Sequence, residues 1–142
     1  MKDDLEALAF DHAPIGLIYA ENRVIRRCNH RFEHMFGYNA GALDGHSLST
    51  IYPSMEEYQR IGDIGLQKMQ GTGQYEDERI MRRRDGTYFW CRVRGQSLEP
   101  SAPFARSVWS FADISEHRPV TGMTGRERQV AKMMAEGMTS KE

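Results

Sequence analysis

His30 and His34 lie four residues apart with Glu33 between them, so a helix carrying them would show both imidazoles on one face, a spacing that could bind a metal. No third ligand stands nearby and the order is not His-Glu-x-x-His, so solvated surface imidazoles are expected and no metal is assigned. Cys28 and Cys91 are too few and too far apart for a disulfide framework. Cys91 alternates with Phe89 and Val93, which reads as a small buried hydrophobe. No Lys or His lies two residues away on that face to lower its pKa. Arg79 is the unusual charge. Strand alternation places it with Met81 on an inner face, where it either snorkels to the rim or meets an anionic ligand. The run Arg82-Arg83-Arg84 stands beside Glu76, Asp77, Glu78 and Asp85, and reads as a charge-blunted strand edge rather than a nucleic-acid patch. No Ser-His or Cys-His pairing rises above chance, and no phosphate-loop or dinucleotide glycine pattern is present. No catalytic residue is assigned. An enzyme on a small α+β fold stays as an alternative reading.

These residues need a scaffold, and the composition permits one. With 142 residues the chain can bury one substantial core, while two full domains would be cramped. The formal net charge of −1 excludes a basic footprint spread over the whole chain. Two Trp, six Tyr and six Phe can fill a core despite a mean hydropathy of −0.65. No apolar run approaches the ~20 residues that span a bilayer. The start Met1-Lys2-Asp3-Asp4 is acidic where a secretory signal is basic and then apolar, so a cytoplasmic protein without membrane partners is expected.

Asp3 and Asp4 followed by Leu5, Leu8 and Ala9 predict a short helix stopped by Pro14. Residues 15–20 and 24–28 read as two strands joined by a turn at 21–23. Asn29 opens a helix carrying Phe32, Met35 and Phe36, and Gly37 closes it. A second short helix is expected at Ala40–Leu43, and one or two imperfect helices between Pro53 and Gln70, interrupted by Gly62 and Gly65. Strands at 75–84 and 87–98 are joined by Asp85-Gly86, read as a two-residue hairpin, and 106–114 is the last strand. In the second of these strands Phe89, Cys91, Val93 and Gly95 share one face, with Tyr88, Trp90, Arg92, Arg94 and Gln96 on the other. Two antiparallel hairpins flanking a helical middle make an α+β layout.

The residues Asn29, Phe32, Phe36-Gly37-Tyr38, Leu43 and Gly45, then Glu78, Arg83-Arg84-Asp85-Gly86 and Phe89-Trp90, then Asp113-Ile114-Ser115, resemble a PAS domain. The resemblance implies a five-stranded antiparallel sheet in the order 2-1-5-4-3, with helices covering one face and a small cavity beneath them. It makes Ile18, Phe32, Phe36, Arg79, Met81, Phe89, Cys91, Val93, Trp109 and Phe111 the cavity candidates. Ordinary packing is the plainer reading of most of them. The stretch after Gly45 is His46-Ser47-Leu48-Ser49-Thr50, without the cysteine of light-sensing flavin domains, and Tyr58–Gln70 has no histidine for haem. Flavin and haem are therefore not expected. The cofactor stays open, with a small organic ligand as the remaining candidate.

Beyond a polar linker at 116–123, Thr124 and Glu127 form a capping box, and Thr139-Ser140-Lys141-Glu142 opens another. The string from Met123 to Glu142 is similar to the start of a LuxR-type helix-turn-helix domain, with Gly125 where that family often has proline. This divides the chain into an N-terminal helix at 1–13 as a dimer cap, a PAS sensory domain at 14–115, the linker, and an incomplete helix-turn-helix at 124–142. From Thr124 onward the charge is only +1 and the groove-entering helix is absent, so DNA is a partner of the full-length protein alone. The expected function is ligand or signal sensing that controls an attached LuxR-type DNA-binding domain; a PAS domain serving only for dimerisation is a further alternative. Leu5 and Leu8 are assigned to a homodimer interface. Signal transfer is assigned to Trp90, Asp113 and Pro119: Asp113-Ile114-Ser115 could start a helix, Pro119 breaks it, and the helix-turn-helix is expected to dock on the outer sheet face near Tyr88, Trp90 and Ser110.

Overall fold

A computed structural model describes residues 4–119. The expected helix-turn-helix fragment at 124–142 and residues 120–123 of the linker lie outside the described residues. Helix α1 (Leu5–Asp11) starts at Asp4, whose carboxylate accepts from the backbone N–H of Glu6 and Ala7. Strands β1 (Gly16–Glu21) and β2 (Val24–Cys28) follow, joined at Asn22 and Arg23. Both turn residues have positive φ, 52° and 62°, as a two-residue turn matching the strand twist requires. Helix α2 (His30–Phe36) ends at Gly37, with φ at 83°. A single 3-10 turn (Leu48–Ile51) leads to helix α3 (Met55–Met69), capped by Ser54. Strands β3 (Gln74–Arg82), β4 (Tyr88–Ser97) and β5 (Ser107–Asp113) complete a sheet in the order β2-β1-β5-β4-β3. Every pairing is antiparallel. This α+β architecture is the PAS-type sheet that the sequence implies.

Two local expectations are corrected and a third is narrowed. Ala40–Leu43 is a run of turns, because Gly41 and Gly45 take positive φ and the Gly45 N–H leaves to bond the Ile25 carbonyl. The interval from Pro53 to Gln70 holds one continuous helix, since Gly62 and Gly65 face inward, where side chains from elsewhere occupy the missing Cβ positions. The Asp85-Gly86 hairpin has three loop residues. Arg83 and Thr87 close it, the Gly86 N–H bonds the Arg83 carbonyl, and Gly86 takes a φ of 89°.

Asn29 joins the N-terminal elements. Its fully buried side chain accepts from the backbone N–H of Leu17 (2.9 Å) and Phe32 (3.0 Å), and donates to the carbonyls of Phe10 (2.9 Å) and Ile15 (3.0 Å). All of its hydrogen-bonding capacity is used within the protein. On the inner sheet face Phe32 stacks on Phe36 at 4.4 Å, and both meet Phe111 edge-on. Gly95 on β4 lets the Trp109 ring lie flush against the sheet: a Cβ there would come within 2.3 Å of that ring.

A smaller core of Ile80, Trp90 and Ile114 is formed on the opposite face. It lies on the outer face near Trp90, where the helix-turn-helix is expected to dock. Ile114 returns its N–H to the Trp90 carbonyl, the chain turns at 115–117, and the Arg118 guanidinium lies 3.4 Å from the Trp90 ring centroid. Arg118 also pairs with Glu78 at 3.1 Å. Trp90 is only 5% exposed as a result. Asp113 likewise begins a turn and not a helix. One carboxylate oxygen accepts from the Ser115 N–H, and the other pairs with Arg83 at 2.7 Å.

Candidate functional site

Between α3 and the inner face of the sheet lies a small cavity. Leu48, Ile61, Val93 and Phe111 supply its aliphatic and phenyl wall, Tyr52, Tyr75, Phe104 and Trp109 its aromatic wall, and Arg23 and Arg79 its charge. It offers about 20 Å³ to the centre of a water-sized sphere, room for roughly a single water. Of the sequence-predicted residues, the structure brings Arg79, Val93, Trp109 and Phe111 to this wall. Ile18, Phe32, Phe36, Met81, Phe89 and Cys91 pack in the same core but away from the opening.

Arg79 does not snorkel, contrary to one expectation. It is 2% exposed and makes a forked pair with Asp77, Nε to Oδ1 at 2.9 Å and Nη2 to Oδ2 at 3.0 Å. Its Nη1 donates to the Tyr52 hydroxyl at 2.7 Å. Burial opposes its charge, but Tyr52, Asp77 and Tyr75 more than offset that and hold the guanidinium protonated beyond its ordinary range. Tyr75 is pushed up by burial and donates its O–H to Asp77.

Arg23, which the sequence reading passed over as a turn residue, reaches across the mouth of this cavity. Its guanidinium carbon sits 3.7 Å from the Tyr58 ring centroid, 5.2 Å from Phe104 and 5.7 Å from Tyr52. It occupies the space left by Gly62, where a Cβ would approach within 2.2 Å of its Nη1. Its one hydrogen bond among the described residues is a long donation, 3.3 Å, to the Tyr52 hydroxyl. The signal in the sequence was slight: an arginine in a turn position where glycine or asparagine is favoured. Tyr52, Tyr58 and Phe104 were missed because they come from loops and helix α3, for which periodicity names a face but no partner.

Glu57 is a second buried polar group. It lies one turn before Ile61 on the buried face of α3, fully enclosed, and neither carboxylate oxygen has a hydrogen-bond partner among the described residues. A carboxylate in that setting is costly to ionise. Burial pushes the Cys91 thiol up to about 12, and burial together with Glu33 does the same for Cys28. Among the described residues no group of three or more His, Cys, Asp or Glu could hold a metal, and His30 packs edge-on against His12. Leu5 and Leu8 are 76% and 43% exposed on α1. A broad, open trough on the outer sheet face is bordered by Leu17, Arg94, Val108 and Ser110. Among the described residues no helix is long and apolar enough to cross a membrane.

Comparison with known proteins gives these features a setting. The PAS domain family matches residues 13–116. The chain is 42% identical to the PAS domain, solved in complex with ethanol, of a LuxR-family transcriptional regulator from Burkholderia thailandensis, covering 80% of this chain and 99% of that one with a TM-score of 0.76. It is 38% identical over 109 residues, 77% of its length, to the sensor protein TdiS of Thauera aromatica. It is 27% identical over 125 residues, 83% of its length, to the oxygen sensor protein DosP of Escherichia coli. The chain spans 20% of the length of the first of these sensors and 15% of the second.

Proposed function

The chain belongs to the PAS domain family, and from that premise we propose that it is the ligand-sensing part of a transcriptional regulator whose LuxR-type DNA-binding domain begins near Thr124. The observation that carries this reading is the cavity between α3 and the sheet, which is polar at its mouth and aromatic along its wall. The relative from Burkholderia thailandensis supports it in two ways: it is part of a LuxR-family regulator, and it holds a small organic molecule. The sensor relatives support a signalling role. PAS domains are in general sensory or regulatory modules, and no group here is assigned to catalysis.

Arg79, Val93, Trp109 and Phe111 form the ligand wall in this proposal, joined by Arg23 and Tyr52. Ile18, Phe32, Phe36, Met81, Phe89 and Cys91 support that wall from behind. The exposed Leu5 and Leu8 on α1 serve a homodimer, because apolar side chains at a domain edge gain most by two-fold contact. The signal leaves through Trp90, Asp113 and the segment ending at Pro119, since the first two of these hold the exit turn against the sheet. Native mass spectrometry of the purified protein tests the sensing role. A small organic molecule retained in the folded protein and released on unfolding is expected, whereas a protein that neither co-purifies with one nor takes one up from a panel of small organics would falsify it.

A further inference from the structure

We propose that the ligand of this cavity is a small organic acid, a carboxylate on a compact apolar body, with Arg23 and Tyr52 holding the carboxylate. The inference rests on the sensing role proposed above and concerns the chemistry of its ligand.

The cavity contains two guanidinium groups, and only one is neutralised. Arg79 is matched by the forked contact to Asp77. No carboxylate among the described residues forms an ion pair with Arg23; its surroundings are three aromatic rings and one long hydrogen bond. Ring faces attract a cation weakly, yet they accept none of the directed N–H bonds that a guanidinium offers in its planar fork.

The Tyr52 hydroxyl points to the same deficit. It accepts from Arg79 at 2.7 Å and from Arg23 at 3.3 Å, which fills both lone pairs, and so its own O–H is left to donate. No hydrogen bond among the described residues has that hydroxyl as donor. Among the described residues, the mouth of the cavity therefore presents a surplus of donors and one guanidinium without an ion pair. A carboxylate supplies what is missing: negative charge, two acceptor oxygens and a planar geometry that matches the fork. The rest of the ligand meets Leu48, Ile61, Phe104 and Trp109, which calls for an apolar body.

The backbone at Arg23 agrees with this. A non-glycine residue at a φ of 62° is uncommon, and the tight turn between β1 and β2 imposes it here. Here it aims the side chain over α3, onto the vacancy at Gly62. The closed cavity admits little more than a water, so the ligand takes the space by turning the guanidinium off the Tyr58 ring and onto its own carboxylate.

Calorimetric titration with matched pairs tests the proposal: propionate against 1-propanol, and benzoate against benzyl alcohol. At least one carboxylate is expected to bind tenfold or more tightly than its alcohol. Arg23→Gln should remove that preference by weakening the carboxylates at least tenfold, and Tyr52→Phe should reduce it. Both variants are checked for the native circular dichroism spectrum, and the wild-type panel decides the matter even if neither folds. Alcohols that bind as well as the acids, or a preference that survives Arg23→Gln, would overturn the carboxylate assignment and leave the sensing role standing. No binding by either class would overturn both.

Discussion

Replacing Gly62 by alanine places a methyl group on α3 within 2.2 Å of Arg23 Nη1 and 2.8 Å of its Cζ. The obstacle is the far end of a long side chain, so the guanidinium can move where backbone could not. Two opposing effects then set the stability. Alanine in a helix interior gains about 1 kcal/mol over glycine. Pushing Arg23 out of its cage of rings loses a cation–π contribution of about 0.5–2 kcal/mol. The two nearly cancel, and urea denaturation should place Gly62→Ala within about 1 kcal/mol of the wild type. The displaced guanidinium should no longer lie over Tyr58, which the Arg23 side-chain NMR resonances report. If Gly62→Ala instead loses more than ~2 kcal/mol, in the manner of an overpacked core, Arg23 is a fixed structural element and the account of a movable cavity mouth is wrong.

Gly95→Ala is the contrasting case, because the added Cβ meets the Trp109 ring at 2.3–2.7 Å and that ring is buried; a loss of about 3 kcal/mol in urea denaturation is expected. Glu57→Leu should stabilise the fold by about 1–3 kcal/mol, since it removes a buried carboxyl with no hydrogen-bond partner among the described residues; a comparable loss in the same assay would mean that the carboxyl has a partner after all. Both thiols should resist a disulfide reagent in the native state at pH 8 and react on unfolding. Their folded pKa values are raised, so their contribution to stability is complete below the unfolded thiol pKa of about 8.5 and is lost as pH climbs towards 12, by at most ~1.4 kcal/mol per unit for each thiol. Denaturation midpoints that rise over that range would contradict this. Arg118→Ala should uncover Trp90 and speed proteolysis after Asp113 without changing the midpoint of the main unfolding transition by more than ~1 kcal/mol, as expected for a half-exposed contact.

Alternation and turn chemistry were enough to place the strands and the helices α1 and α2, because each depends on residues near in sequence. Phe89, Cys91 and Val93 face inward as their spacing requires. Ala40–Leu43 misled because helix-compatible side chains there are outweighed by two glycines in left-handed backbone. The site was less legible for a different reason. Alternation put Arg79 on the inner face, but its environment is set by Tyr52, 27 positions away, and by the choice of Asp77 two residues earlier on the same strand. Alternation puts Trp90 on the outer face, and nothing in a strand pattern announces that Arg118 will return to cover it. Arg23 was hidden most completely. Its role depends on an absent side chain at Gly62, and a missing Cβ carries no period.

The four hydrogen bonds of Asn29 also have a mechanical meaning. One amide connects the end of α1, the residue before β1, the second residue of β1 and the first turn of α2. A torque applied to α1, from a partner or a tether, reaches the sheet through this amide and through the ion pair between Asp11 and Arg27 of β2. The neighbouring residues His30 and Arg31 are exposed, and His30 meets α1 only through the edge of the His12 ring. In a library randomised across 28–34, position 29 should tolerate almost no replacement, since aspartate lacks the two donors and glutamine places them a carbon too far, while positions 30 and 31 accept most side chains.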